Sequence, residues 1–188
     1  MSFSVFKSSM LAYMSNQNGI TSYTQFANKI TTEYDMCVRR GFQLTNNIPL
    51  SSSNKAGMLA LVNIACQKAS FVQSGSHNFI DDIGKGVLAY WSGATLMVGI
   101  PPIIPADGSI SNITTTNAIV TNPGKWTSFG PEFPTNNTND FLDILISAMK
   151  IHLTTIGGMY LTVSMYPGFP LVPPAPGVRT WEGWEIPD

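Results

Sequence analysis

The sequence predicts a mainly α (α+β) fold: four or five helices forming one core, a small β element in the second half, and a proline-rich extended C-terminal arm. Three observations predict it. Apolar residues recur at helical spacing through the first half and again around Leu145. Runs at 110–121 and 159–165 are Thr-rich or alternate in polarity, as half-buried strands do. Six of the 13 prolines lie between Tyr166 and Asp188. A chain of 188 residues suits one core of ordinary size. Residues 1–166 are therefore expected to form a single, mostly helical domain, with 167–188 as the arm.

The first helix is expected from about Ser4 to Asn16, because Phe3, Phe6, Met10, Tyr13 and Met14 fall three and four residues apart. For the second, Ser22 and Gln25 form a capping-box pair, and Tyr23, Phe26, Ala27, Ile30, Tyr34, Cys37 and Val38 make one apolar stripe. Arg39 and Arg40 suit the last turn of its dipole, with Gly41 as the left-handed residue just beyond. The Ser51-Ser52-Ser53-Asn54 cluster offers a cap for a third helix over Lys55–Phe71. That segment is apolar around much of its circumference, which predicts a central position. A fourth helix is expected from about His77 to Leu96. Gly84, Gly86 and Gly93 weaken it by about 0.5–1 kcal/mol each relative to alanine, so close approach of a neighbour is the expected compensation.

Helix must stop at Gly99-Ile100-Pro101-Pro102. Loops and short extended runs should follow to Pro134, with a strand or ribbon at Ile110–Thr121 and a turn at Asn122-Pro123-Gly124. The last helix should begin near Thr138 and run to about Ile156, stopped by Gly157-Gly158, before a strand from Met159 to Met165. Expected core residues are Phe26, Ile30, Tyr34, Leu59, Val62, Ile83, Leu88, Leu145, Met149 and Leu153.

Only 11% of the residues are charged, where roughly 25% is usual. Ser, Thr and Asn fill the gap with 49 residues, and mean hydropathy is only +0.10. A net charge of −1 leaves no basic surplus to neutralise phosphates, which argues against nucleic acid as the main partner. The start of the chain lacks the charged region and apolar run of a secretory signal. The longest apolar stretch, Gly86–Pro105, contains Pro101-Pro102, and the helix near Ile144 carries Asp143, Lys150 and His152, so no membrane span and no membrane partner are expected. The sequons at Asn112 and Asn136 matter only on a secretory route. Cys37 and Cys66 both fall in apolar helical patterns and read as small buried hydrophobes.

No pattern in the chain specifies a chemistry. Gly84-Lys85-Gly86-Val87-Leu88-Ala89 has the letters of a dinucleotide fingerprint, but an amphipathic helical pattern precedes it where the fingerprint needs a strand. Asp81 and Asp82 with His77 and Cys66 lack an established metal-ligand spacing, and adjacent acids already suit a helix start. His152 beside an apolar stripe reads as a satisfied core histidine rather than a base, since no nucleophile motif partners it. Glu182 and Glu185 flank Trp184, but a proline-rich end does not hold two carboxyls at a fixed separation for glycoside hydrolysis. No catalytic residue, cofactor, metal or small-molecule substrate is expected.

From Pro167 to Gly177 the arm favours polyproline II geometry, which leaves it free to lie on another surface. Phe169, Leu171, Val172, Arg179, Trp181 and Trp184 are the candidate interface residues, because large apolar side chains are costly to leave in water. The expected acceptor is the chain's own domain or a neighbouring subunit, with the neighbouring subunit favoured. Pro170 to Pro173 and Pro173 to Pro176 also have PxxP spacing, which supports an alternative: a soluble adaptor whose tail is read by a proline-recognition domain.

The chain also has a recognisable texture, in Phe26-Ala27-Asn28-Lys29-Ile30 through Tyr34-Asp35, Tyr90-Trp91-Ser92-Gly93-Ala94, Asn122-Pro123-Gly124 and Ala175-Pro176-Gly177-Val178. Taken with the neutral-polar composition, this resembles structural proteins of tailed-bacteriophage particles. The resemblance spans most of the chain as texture and carries over no site residues. It implies a non-enzymatic virion subunit of capsid, neck, tail or baseplate, assembled in the host cytoplasm. Its partners would be copies of itself and other structural subunits. Low charge suits such a role, because neutral groups are cheaper to bury in an interface than unpaired charges.

Overall fold

In the computed structural model, which describes residues 2–16, 22–43, 49–71, 79–96, 112–127, 138–165 and 177–187, helices cover one face of an antiparallel sheet. The described helices are α1 (Phe3–Asn16), α2 (Tyr23–Val38), α3 (Lys55–Phe71), α4 (Phe79–Trp91) and α5 (Thr138–Leu153). Strands β1 (Phe42–Gln43) and β2 (Leu50–Ser52) lie between α2 and α3, and β3 (Thr95–Leu96) follows α4. The longer strands are β4 (Asn112–Asn122), β5 (Gly157–Met165) and β6 (Gly177–Glu182), and β7 (Trp184–Glu185) closes the series. The five-stranded sheet has the order β2-β3-β4-β5-β6, and β1 pairs with β7 separately. The fold is mainly α with a small sheet in the second half, as composition and periodicity require.

Local chemistry explains the helix ends. The Ser22 side chain accepts from the Gln25 amide at 3.4 Å and starts α2. Asn54 does the same for α3, accepting from the Gly57 amide at 2.9 Å. Helix α4 is shorter than expected. Gly93 adopts φ +75°, a left-handed conformation that glycine takes without strain, and the Ala94 amide bonds the Trp91 carbonyl at 3.1 Å. Thr95 and Leu96, expected as helix, therefore start a strand. Gly41 is not among the described glycines with positive φ, so conformational freedom is not its role. A β-carbon there would collide with the Trp184 ring and the Glu185 carbonyl, so Gly41 makes room for β7.

The central helix is α2, not α3. Phe26, Ala27, Ile30, Tyr34, Cys37 and Val38 are buried on α2 together with the polar Thr31, Glu33 and Asp35. Such burial is possible because α1, α3, α4 and β7 all supply partners to it. Helix α3 buries Met58, Val62, Ala65 and Cys66, while Leu61 is 36% exposed and Ile64 45%. Its apolar circumference is thus only half used. Gly86 explains how α3 and α4 approach: a β-carbon there would lie 2.8 Å from Val62 Cγ2 and 3.2 Å from the Met58 carbonyl. Of the expected core, Phe26, Ile30, Tyr34, Val62, Ile83, Leu145, Met149 and Leu153 are buried, and Leu59 and Leu88 are half-buried.

The sheet has two different faces. Leu50, Leu96, Val120 and Trp181 point into the helical core. Gly157 and Gly158, expected to stop α5, are the first residues of β5 instead. A β-carbon on Gly158 would lie 2.7 Å from Trp181 Nε1 and would strike the Ile119 carbonyl, so glycine is what lets the tryptophan of β6 cross the sheet here. The helix stops earlier, where the Thr154 and Thr155 side chains bond the carbonyls of Ile151 and His152 at 2.7 and 2.8 Å.

Residues 177–187, expected as part of a docked arm, dock on the chain's own domain. Six residues of β6 pair in register with β5, from Gly157 opposite Glu182 to Thr162 opposite Gly177. Trp181 is 2% exposed and Trp184 4%, both within the chain's own core. The reason is apolar area: two indoles are buried most cheaply against the nearest helices. The boundary at 166/167 thus does not separate them from the body. The proline-rich run 167–176 lies outside the described residues.

Candidate functional site

Polar side chains gather at three places, each holding elements together. The first is Asp35, near the end of α2. Its Oδ1 accepts from the Tyr90 hydroxyl at 2.7 Å and from Arg39 Nε at 3.1 Å, and Oδ2 lies 3.3 Å from Lys55 Nζ. Burial pushes this carboxyl up, but the Tyr90 hydroxyl, then Arg39 and Lys55, outweigh it and hold it below the usual carboxylate value. Tyr34 and Tyr90 are both driven up, chiefly by burial, so neither phenol is an acid or base near neutrality. Next to this node, Trp91 donates its indole N–H to the Tyr34 hydroxyl at 2.9 Å. Trp184 packs edge-on to Trp91 with ring centres 5.2 Å apart.

The second place joins α1 to α2. Lys29 Nζ lies 2.7 Å from Glu33 Oε1 and 2.8 Å from the Ser9 hydroxyl oxygen, and the Ser9 hydroxyl itself donates to Glu33 Oε1 at 2.8 Å. The third docks the Asn122-Pro123-Gly124 turn on the end of α5. His152 Nε2–H donates to the Pro123 carbonyl at 2.7 Å, Asn122 Nδ2 donates to the Thr155 carbonyl at 3.0 Å, and the Lys125 amide bonds Thr155 Oγ1 at 2.8 Å. Gly124, at φ +89°, lets the turn close over His152 and Ile156. His152 Nδ1 is buried with no hydrogen-bond partner. Burial lowers the imidazole to about 4, against the opposing pull of the Pro123 carbonyl, so His152 is neutral at ordinary pH.

The sequence-derived candidates fall out as follows. Gly84 and Gly86 sit inside α4, with Gly84 against the Trp126 ring. They therefore make helix contacts, and the residues directly before Gly84, 79–83, are helix where the fingerprint needs a strand-to-helix turn. Asp82 pairs with Lys85 and lies 3.9 Å from Lys68. Among the described residues no group of three or more His, Cys, Asp or Glu could hold a metal ion; His77 lies outside them. Cys37 and Cys66 are buried thiols, raised by burial to about 12 and about 11, which makes them poor nucleophiles. Among the proposed interface residues, Trp181 and Trp184 are internal, Arg179 stands opposite Tyr160 in the β5–β6 register, and Phe169, Leu171 and Val172 lie outside the described residues. None of the described helices is long and apolar enough to cross a membrane.

One outward-facing row of the sheet is uncharged. Ser52, Thr95, Ile119, Met159 and Thr180 form one row across all five strands of the sheet. Ile119 is 48% exposed and Met159 45%, directly opposite one another. Ser52 and Thr180 are exposed and Thr95 is half-buried, so the row is uncharged from edge to edge. The alternation Met159–Met165 hinted at a two-faced strand, but the partner strands that complete the row are distant in sequence. No protein-family model, curated protein or solved structure matches this chain.

Proposed function

We propose that the protein is a non-enzymatic structural subunit of a large assembly, in the first instance a component of a tailed-phage particle. The observation that carries the reading is the uncharged row Ser52–Thr95–Ile119–Met159–Thr180 on the open face of a sheet whose other face already lines a complete core. A surface with hydroxyls around a central apolar pair loses little on desolvation, which is what packing against a neighbour requires. The polar clusters at Asp35, Glu33 and His152 support the same reading, because each is engaged in joining elements of the fold.

The test is to replace both central residues, as Ile119→Lys with Met159→Lys, and to follow incorporation of the chain into purified particles. These side chains are exposed, so the variant should fold like the parent. Loss of incorporation with folding retained supports the reading. Normal incorporation of the variant removes this face from the assembly, and absence of the parent chain from particles overturns the virion assignment, leaving a transient adaptor.

A further inference from the structure

Half of the apolar circumference of α3 faces away from the chain's own core. Ala56, Ala60 and Ile64 are exposed at helix positions that share one side, opposite the buried Met58, Val62 and Ala65, and the exposed Leu61 flanks that side. Twelve consecutive residues between Lys55 and Lys68 carry no charge. A helix apolar all round is ordinarily covered all round.

We propose that this face is a contact between two copies of the chain, with their α3 helices crossing antiparallel about a two-fold axis at Ala60. This deepens the assembly reading and rests on it. Residue size is the first argument. The face carries small residues, Ala56 and Ala60, towards its N-terminal half, and large ones, Leu61 and Ile64, towards its C-terminal half. A two-fold axis at Ala60 sets Ile64 of one copy over Ala56 of the other, and the two alanines at the axis allow close approach of the helices. A parallel pair would set Ile64 against Ile64 and leave Ala56 facing Ala56 across a gap.

Charge selects the same arrangement. The N-terminal end of α3 gathers Arg39 and Lys55 around one carboxylate, Asp35. Around the other end, Lys68 and Lys85 are balanced by Asp82 and its neighbour Asp81. Antiparallel pairing sets each cationic end against the charge-balanced end, whereas parallel pairing brings the two cationic ends together. The uncharged strip between them meets an equally uncharged strip, so neither copy buries an unmatched charge.

Cysteine trapping in the full chain tests this geometry. Ala60→Cys should link to its own copy under mild oxidation, and so should the double variant Ala56→Cys with Ile64→Cys. Ile64→Cys alone should not, because its two copies would stand about 12 Å apart along the helices at 1.5 Å per residue, beyond disulfide reach. The native Cys37 and Cys66 are buried and give little background. Sedimentation of Ile64→Glu should show at least a tenfold weaker dimer than the parent. Linking of Ile64→Cys without Ala60→Cys, or no linking by any variant, overturns the proposal. If Ile64→Glu self-associates as the parent does and still enters particles, this face is not the contact although the assembly reading stands. A parent chain that is monomeric and absent from particles ends both.

Discussion

Trp184 donates its indole N–H to the backbone carbonyl of Val38 at 3.2 Å, tying the last strand to the end of the central helix. The same ring packs on Trp91, and its strand pairs with Phe42 and Gln43. The C-terminal segment is therefore a structural wedge. Trp184→Ala should lower unfolding stability by about 3–5 kcal/mol, the usual cost of removing a buried aromatic, in urea denaturation followed by tryptophan fluorescence. Truncation after Met165 removes Trp181 as well and should leave a chain without a cooperative transition. A truncated chain that unfolds cooperatively near the parent's midpoint would show that residues 177–187 contribute little to the core.

His152 sets an acid sensitivity. Its folded-state pKa of about 4 lies below the ordinary imidazole value of 6.5, so the unfolded chain takes up the proton first as pH falls. Stability is unaffected above about pH 6.5, declines between about 6.5 and 4, and loses no more from this group below that, a total of order 3 kcal/mol. The cause is physical: a second ring proton on buried Nδ1 finds no acceptor among the described residues. His152→Gln should flatten the stability profile between pH 6.5 and 4. If variant and parent lose stability in parallel across that range, another group is responsible.

Local patterns were enough to read α2, because one cap and one 3.6-residue stripe agree there, and the core side chains Phe26, Ile30 and Tyr34 follow from that stripe. The position of α3 was not legible. A segment apolar on all sides gives no direction, and only the packing of Met58 and Val62 against Gly86 shows which side is internal. Glycine roles were legible only in part: close approach was expected at Gly84 but its partner, the Trp126 ring, was not, and the space that Gly41 and Gly158 make for Trp184 and Trp181 has no local signal. Trp181 and Trp184 misled for the same reason. They follow a proline-rich run in sequence, but their partners are Gly158, Trp91 and Val38. The pairing of Asp35 with Arg39 was readable from the four-residue spacing on a helix, whereas its bond to Tyr90, 55 residues away, was not.

That bond gives a third prediction. Tyr90→Phe keeps the ring packed against Tyr34 and Trp91 but takes a donor from a buried carboxylate. The expected loss is about 1–3 kcal/mol at neutral pH, the range for stranding a buried polar group. Asp35 has a depressed folded pKa, so its contribution is present above the ordinary carboxylate range and is lost as pH falls through the folded value. The gap between parent and Tyr90→Phe should therefore persist to about pH 4 and narrow below it. A gap that stays constant through the acid range would assign the cost to packing and not to the hydrogen bond.

The two sides of α3 can be compared directly. Val62 is fully buried against Gly86, whereas Ile64, two residues on, is 45% exposed. Val62→Asp places an unpaired carboxylate in the core and should cost several kcal/mol, enough to abolish soluble folding of an ordinary domain. Ile64→Asp puts the same carboxylate in water and should change the stability of the isolated chain by no more than about 0.5 kcal/mol. Soluble yield and denaturation midpoints measure both. Equal tolerance of the two substitutions would mean that neither side of α3 is internal. Equal intolerance would mean that the outward side is already covered within a single chain, which would also remove the surface available to a second copy.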